Sequence, residues 1–157
     1  MFTGDRSGDW LYGALHKAGF ADRPESVDRA DGLTLQGCYI TAAVRCAPPA
    51  NKPTTEERYT CSTYLEEELD LMPQVRVMVA LGKFAFDQTW RILKARGEPL
   101  PSPRPAFRHG LEVCLESGLW ILASFHPSQQ NTFTGKLTHE MFDGIWSRAR
   151  VLADGIR

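Results

Sequence analysis

From Val75 to Leu81 every residue but Arg76 is apolar, and Gly82-Lys83 follows at once. A run this short and unalternating reads as a strand buried on both faces, as the central strands of parallel sheets are. A parallel neighbour cannot be reached by a tight hairpin and needs a crossover, usually a helix. The flanking chain has the pieces for one. Leu119-Trp-Ile-Leu-Ala123, bounded by Gly118, is a second buried-strand pattern, and Gly37 to Val44 a third. Helical periodicity lies between and around them. Trp10, Leu11, Ala14, Leu15 and Ala18 form one stripe from Asp9 to about Gly19. Thr54 and Glu57 fit a capping box opening a helix with Leu65 and Leu69 one turn apart. Phe84, Ala85, Trp90 and Leu93 mark a helix leaving Gly82. Met141, Phe142, Ile145, Trp146, Ala149 and Leu152 give the strongest periodicity, over about 138–153. Phe107 to Leu115 is a candidate extra strand. Alternation of this kind predicts an α/β fold, with helices on both faces of a mainly parallel sheet. One piece is missing from the pattern: the opening loop and helix have no strand before them.

The 157 residues suit one domain, and a 43% hydrophobic share is enough for a real core. No apolar run approaches the roughly 20 residues that span a bilayer. The N-terminus has no charged-then-apolar leader pattern, so a cytoplasmic protein without membrane partners is expected. A net charge of −1 argues against a surface dedicated to phosphate, but leaves room for a local basic cleft. Gly-x-Ser-x-Gly, Walker and His-Glu-x-x-His patterns are missing, which weakens serine-hydrolase, P-loop and zincin readings.

Ligands of open α/β sheets sit beyond the carboxyl ends of strands. That places Ser124-Phe-His-Pro-Ser-Gln-Gln-Asn-Thr-Phe-Thr-Gly-Lys-Leu-Thr138 where a site is expected, with His126 at its start. Phe2 and Asp5 lie just before the first helix. There an aromatic could stack on a planar ligand and a carboxylate could position water, or the two could simply pack and cap. Cys46 and Cys61 flank a proline loop and the first turns of a helix. Two thiolates suit zinc or iron–sulfur, although four ligands are usual. His16 and His109 are conceivable partners without a spacing to recommend them. Two unlinked buried cysteines are the plain alternative, and Cys38 and Cys114 fall on predicted strands.

Three segments together resemble one family. They are Met1-Phe-Thr-Gly-Asp-Arg-Ser-Gly-Asp-Trp-Leu, then Ile40-Thr-Ala-Ala-Val-Arg-Cys-Ala-Pro-Pro-Ala-Asn-Lys-Pro, then His126-Pro-Ser-Gln-Gln-Asn-Thr-Phe-Thr-Gly-Lys-Leu-Thr. In this order, with Val79-Ala-Leu-Gly-Lys-Phe-Ala-Phe, they look like the family 5 (type b) uracil-DNA glycosylases, relatives of the iron–sulfur family 4 enzymes. The resemblance implies a three-layer α/β/α sandwich that flips a damaged base and hydrolyses its bond to deoxyribose. It implies that Phe2 stacks on uracil, that His126 donates toward uracil O2, and that Asp5 orients water or the sugar cation. Asn51 becomes a candidate base contact. Arg45, Lys52, Ser128, Gln129, Gln130, Asn131 and Lys136 become candidate DNA contacts, on a protein expected to act as a monomer. Cys46 and Cys61 match two of the four ligands of a [4Fe–4S] cluster; Cys38 and Cys114 do not match the other two. Family members carry an upstream strand and a Gly/Ala/Pro-rich catalytic motif, and this sequence begins inside or just after that motif. The expectation is a single domain over 1–157 that lacks both. Either the start falls at an internal Met or the chain is a genuine fragment, and a fragment is expected to hold no stable cluster, leave a sheet edge uncovered and show weak or no catalysis. A non-catalytic DNA-binding remnant and a small-molecule α/β enzyme are the competing readings.

Overall fold

In the computed structural model of the chain, residues 5–45 and 54–155 are described, Arg58 by its backbone alone. Their order is α1 (Arg6–Lys17), α2 (Thr55–Asp70), β1 (Val77–Leu81), α3 (Gly82–Ala95), β2 (Leu111–Cys114), β3 (Trp120–Ser124), α4 (Gln129–Phe133) and α5 (His139–Ala153). The two predicted buried strands pair in parallel, Val79 opposite Leu122 and Leu81 opposite Ser124. The candidate extra strand is real but shorter, and it runs antiparallel to β3, with Leu111 opposite Ala123. The sheet order is β1-β3-β2.

Side chains alternate across this sheet with the period of two that a pleated strand imposes. Val77, Val79, Leu81, Trp120 and Leu122 face α1 and α5, where Trp10, Leu11, Leu15, Phe142 and Trp146 complete one core. Met78, Ala80, Ile121 and Ala123 face α3, where Phe86, Trp90 and Leu93 complete the other. Helix, sheet, helix is the expected three-layer order. It follows from strands that are apolar on both faces.

The helix ends are set by side chains. Asp5 caps α1, its Oδ1 accepting the Gly8 N–H at 2.6 Å, so the helix begins earlier than the stripe from Asp9 suggests. Thr54 and Glu57 form the full capping box at α2. The stretch read as polar loop after β3 holds a short helix, α4, because the Ser128 carbonyl accepts both the Asn131 and Thr132 N–H groups.

The main departure is residues 37–44. They form no strand, because a strand needs a ladder partner about 4.8 Å away and none pairs with them among the described residues. Instead the segment is tied to α2. Tyr39 Oη donates to Glu68 at 2.8 Å, and Thr41 Oγ1 donates to the same carboxylate. α2 is in turn held to the end of α3 by the Arg96–Asp70 ion pair at 2.7 Å. Between this assembly and the edge of β1 that has no strand beside it among the described residues runs a cleft of about 2050 Å³, lined by residues 37–44 on one side and 73–82 on the other. Among the described residues, no helix is long and apolar enough to cross a membrane.

Candidate active site

β1 and β3 are parallel, so their carboxyl ends emerge side by side. β1 ends at Gly82, whose φ of +91° turns the chain directly into α3. A Cβ there would stand 3.3 Å from His126 Cβ, so only glycine lets the two strand ends approach this closely. β3 ends in Phe125-His126, and the loop beyond is fastened at both ends. Pro127 is fully buried and Leu137 is 1% exposed. Between them Asn131 Nδ2 donates to the His126 carbonyl at 2.9 Å, and the Asn131 carbonyl accepts from Leu137 N at 2.9 Å. The backbone of His126 is therefore held from both sides, while Gln129, Gln130, Phe133 and Lys136 stay exposed.

His126, Asp5, Asn131 and Lys136 all line the end of the cleft where β1 leaves the sheet. Burial lowers the His126 pKa from its ordinary value, and the nearby Asp5 carboxylate partly opposes that shift. The imidazole is thus neutral at neutral pH, with an N–H to donate. The wall behind it is aromatic. The Phe125 ring stands 6.1 Å from that of Phe107 and 5.2 Å from that of His109, and Lys136 Nζ lies 4.6 Å above Phe125.

The expected residues are thus partly gathered. Asp5 and His126, from opposite ends of the chain, meet at one cleft mouth. Asp5 also caps α1, which was the plainer of its two sequence readings. Asn131 uses its amide within the loop. Arg45 pairs with Glu68 and stacks over Tyr64 at 4.7 Å, so its charge is already countered. Ser128 opens α4 without a side-chain cap bond. Phe2, Cys46, Asn51 and Lys52 lie outside the described residues. Sequence reasoning missed three neighbours of the site. Arg6 sits 4.2 Å over the Phe133 ring and ties α1 to the exposed loop, Phe125 forms the wall, and His109 touches the end of β3. Only Gly82, directly after an apolar strand, carried a readable signal of close approach.

A four-iron cluster takes four thiolates. The described cysteines are Cys38, Cys61 and Cys114, all free. Cys61 is buried, with Sγ accepting the Arg45 N–H at 3.4 Å. Burial pushes the Cys38 thiol up to about 11, which keeps it protonated. Cys114 lies on β2, on the opposite edge of the sheet from the cleft. No three His, Cys, Asp or Glu side chains gather as a metal site among the described residues. Neither Cys38 nor Cys114 therefore completes a cluster with Cys61 among the described residues.

The uracil DNA glycosylase superfamily profile matches residues 1–150. A type-5 uracil-DNA glycosylase of Mycobacterium tuberculosis is 51% identical over 98% of this chain and 56% of its own. Those of Thermus thermophilus and Pyrobaculum aerophilum are 49% and 44% identical over 97% and 95% of this chain, and 67% and 62% of theirs. The chain spans little more than half the length of its mycobacterial relative. A type-4 uracil-DNA glycosylase of Thermotoga maritima is 30% identical over 64% of the chain. With nearly its whole length matched in this way, the chain belongs to the uracil DNA glycosylase superfamily and, within it, to the type-5 family.

Proposed function

We propose that this chain carries the base-excision chemistry of a uracil-DNA glycosylase, acting as a cytoplasmic monomer on DNA that contains uracil or another deaminated base. The observation that carries the reading is the meeting of neutral His126 and Asp5 at the ends of two parallel strands, beside an exposed loop. A base inside a duplex is out of reach of such a cleft, so it must be flipped out first. The C1′–N1 bond then breaks with its electron pair going to the base. Water adds to C1′, and its proton goes to the departing base or to solvent. Negative charge builds on the base as the bond breaks. An N–H from His126 toward uracil O2 stabilises that charge more than it stabilises the bound substrate. Asp5, with one oxygen committed to Gly8, would use the other to orient water or offset the sugar cation. Phe2 and Asn51 remain candidates for stacking on the base and holding its edge.

The loop supplies the DNA contact. Gln129, Gln130 and Lys136 are exposed beside the site, whereas Asn131 acts through its hold on His126. Arg45 reaches phosphate only by exchanging Glu68 for it, and Lys52 and Ser128 complete the proposed set. Changing Gln129, Gln130 and Asn131 together to Ala should weaken duplex binding about tenfold and also slow excision, since the clamp on His126 goes with them. Unchanged binding in a gel-shift titration would remove the loop from the interface.

The direct test is release of uracil from a duplex with one deoxyuridine, read as strand scission at the abasic site. Excision that stays at the level of a His126→Ala control would sink the reading. The open cleft favours one second reading, a chain that binds uracil DNA without cutting it; a gel shift without scission would identify that case.

Two further outcomes follow. Gly82→Ala forces φ into the left-handed region and pushes on His126 Cβ. It should cost about 1–2 kcal/mol of stability and lower excision about tenfold, read by thermal melting and by the scission assay. For the cluster, Cys46 and Cys61 are the proposed ligand pair, and two more thiolates must come from elsewhere. Iron analysis of the purified 157-residue chain should therefore fall short of four irons per chain.

A further inference from the structure

The β2–β3 ladder ends at the pair Leu111–Ala123, with Gly110 N–H donating to the Ala123 carbonyl at 2.9 Å. Beyond that point β3 still has to deliver His126 to the cleft. The next inward-facing backbone donor, Phe125 N–H, has no strand carbonyl opposite it. Its partner is a side chain: His109 Nδ1 accepts that N–H at 3.2 Å and lies 3.4 Å from Ser124 Oγ. The His109 ring also packs on Phe125, 5.2 Å between centroids, and bonds to the Met141 backbone of α5. One imidazole thus joins the start of β2, the last residues of β3 and the first turns of α5. We propose that His109 is a positioning residue for His126, extending the ladder by one acceptor so that the peptide entering His126 leaves the sheet at a fixed angle.

The chemistry of the ring fits that task. An acceptor at Nδ1 requires the neutral tautomer with its proton on Nε2. Burial lowers the His109 pKa, which favours the neutral ring at neutral pH. Without the acceptor, Phe125 N–H must seek water or another partner. Relief comes by rotating the Ser124–Phe125 peptide that carries this N–H; because the Ser124 side chain is fully buried, the turn is passed forward to Phe125 and the approach to His126. Asn131 holds the carbonyl side of His126 and His109 holds the residue before it, so removing either frees one end.

The inference rests on the glycosylase reading, so its test needs an arm that does not. His109→Leu removes the acceptor. His109→Asn keeps one, since the Asn oxygen sits where Nδ1 was. His109→Gln places its amide at the Nε2 position instead. On the uracil duplex, His109→Leu and His109→Gln should lower kcat about 10–100-fold with KM changed less than about twofold, as a displacement near 1 Å does. His109→Asn should return kcat to within about threefold of wild type. The independent arm follows the ring ¹⁵N signals of His126 in the free protein. They should move in the Leu and Gln variants and hold in the Asn variant. That pattern in a chain that releases no uracil would support the positioning role while the glycosylase reading fails. Asn and Gln variants that are equal in kcat and in the His126 signals would overturn the inference, even if the Leu variant does not fold.

Discussion

His126→Ala should lower uracil release about 10²–10³-fold while the protein stays folded and still binds the duplex. That is the loss measured when one donor aimed at a developing oxyanion is removed. Folding should survive because the loop is anchored by Pro127, Leu137 and the bond from Asn131 to the His126 backbone, none of which uses the imidazole. His126→Gln, which keeps a donor, should recover part of the rate. The same side chain carries a pH signature. Its folded pKa lies below the ordinary histidine value because burial disfavours the charged ring. Its share of stability is therefore complete above about pH 6.5 and is lost as pH falls through the lowered folded value. Thermal melts of wild type and His126→Ala should converge on acidification. A variant that still excises at the wild-type rate would remove His126 from the chemistry.

The second large effect concerns the cleft beside β1. A strand laid there, parallel to β1 and opposite residues 37–44, should raise both the melting temperature and the rate of excision. Two buried donors on the wall of the cleft, Trp146 Nε1 and Arg150 Nε, have no acceptor among the described residues. Leaving such a group unmet costs about 1–3 kcal/mol. Side-chain acceptors on such a strand that met both would, at about 2–4 °C per kcal/mol, raise Tm by about 10 °C. Such a strand would run toward Asp5 and His126, so its carboxyl end would also close the site. The measurement compares this chain with one extended upstream through its reading frame, by calorimetry and by the scission assay. If the extension changes neither Tm nor excision, the cleft is not a strand position.

What could be read from the amino acids divides along physical lines. β1 and β3 were legible because a strand buried on both faces is apolar at every position, whatever its surroundings. Residues 37–44 are also largely apolar and form no strand, since a strand is a property of a pair, and composition says nothing about whether the partner is there. The capping box at Thr54 and Glu57 was legible because both bonds are local. The clamp of Asn131 on His126 was not, since an Asn in a polar loop reads equally as a surface contact. Arg45 was legible as a cation. The pairing with Glu68 that counters it depends on how α2 docks. His109 was visible only as a titratable residue without a motif, because its partner is a backbone N–H that no sequence spacing announces.

The site joins the first helix to the last third of the chain. Asp5 caps α1, and α1 buries Trp10 against α5, where it stacks on His139 with 3.6 Å between ring centroids. That arrangement fixes the order of events during synthesis. When α1 leaves the ribosome, the surface that will cover its apolar stripe has not been made. The stripe must wait, exposed or chaperoned, until α5 emerges. Asp5 and His126 then come together as one of the last long-range contacts of folding, with the slow closure that such sequence separation brings. A stalled or nicked chain that lacks α5 would lose the surface that docks α1, and would be left with little more than the Arg6–Phe133 contact to bring the carboxylate to the His126 loop.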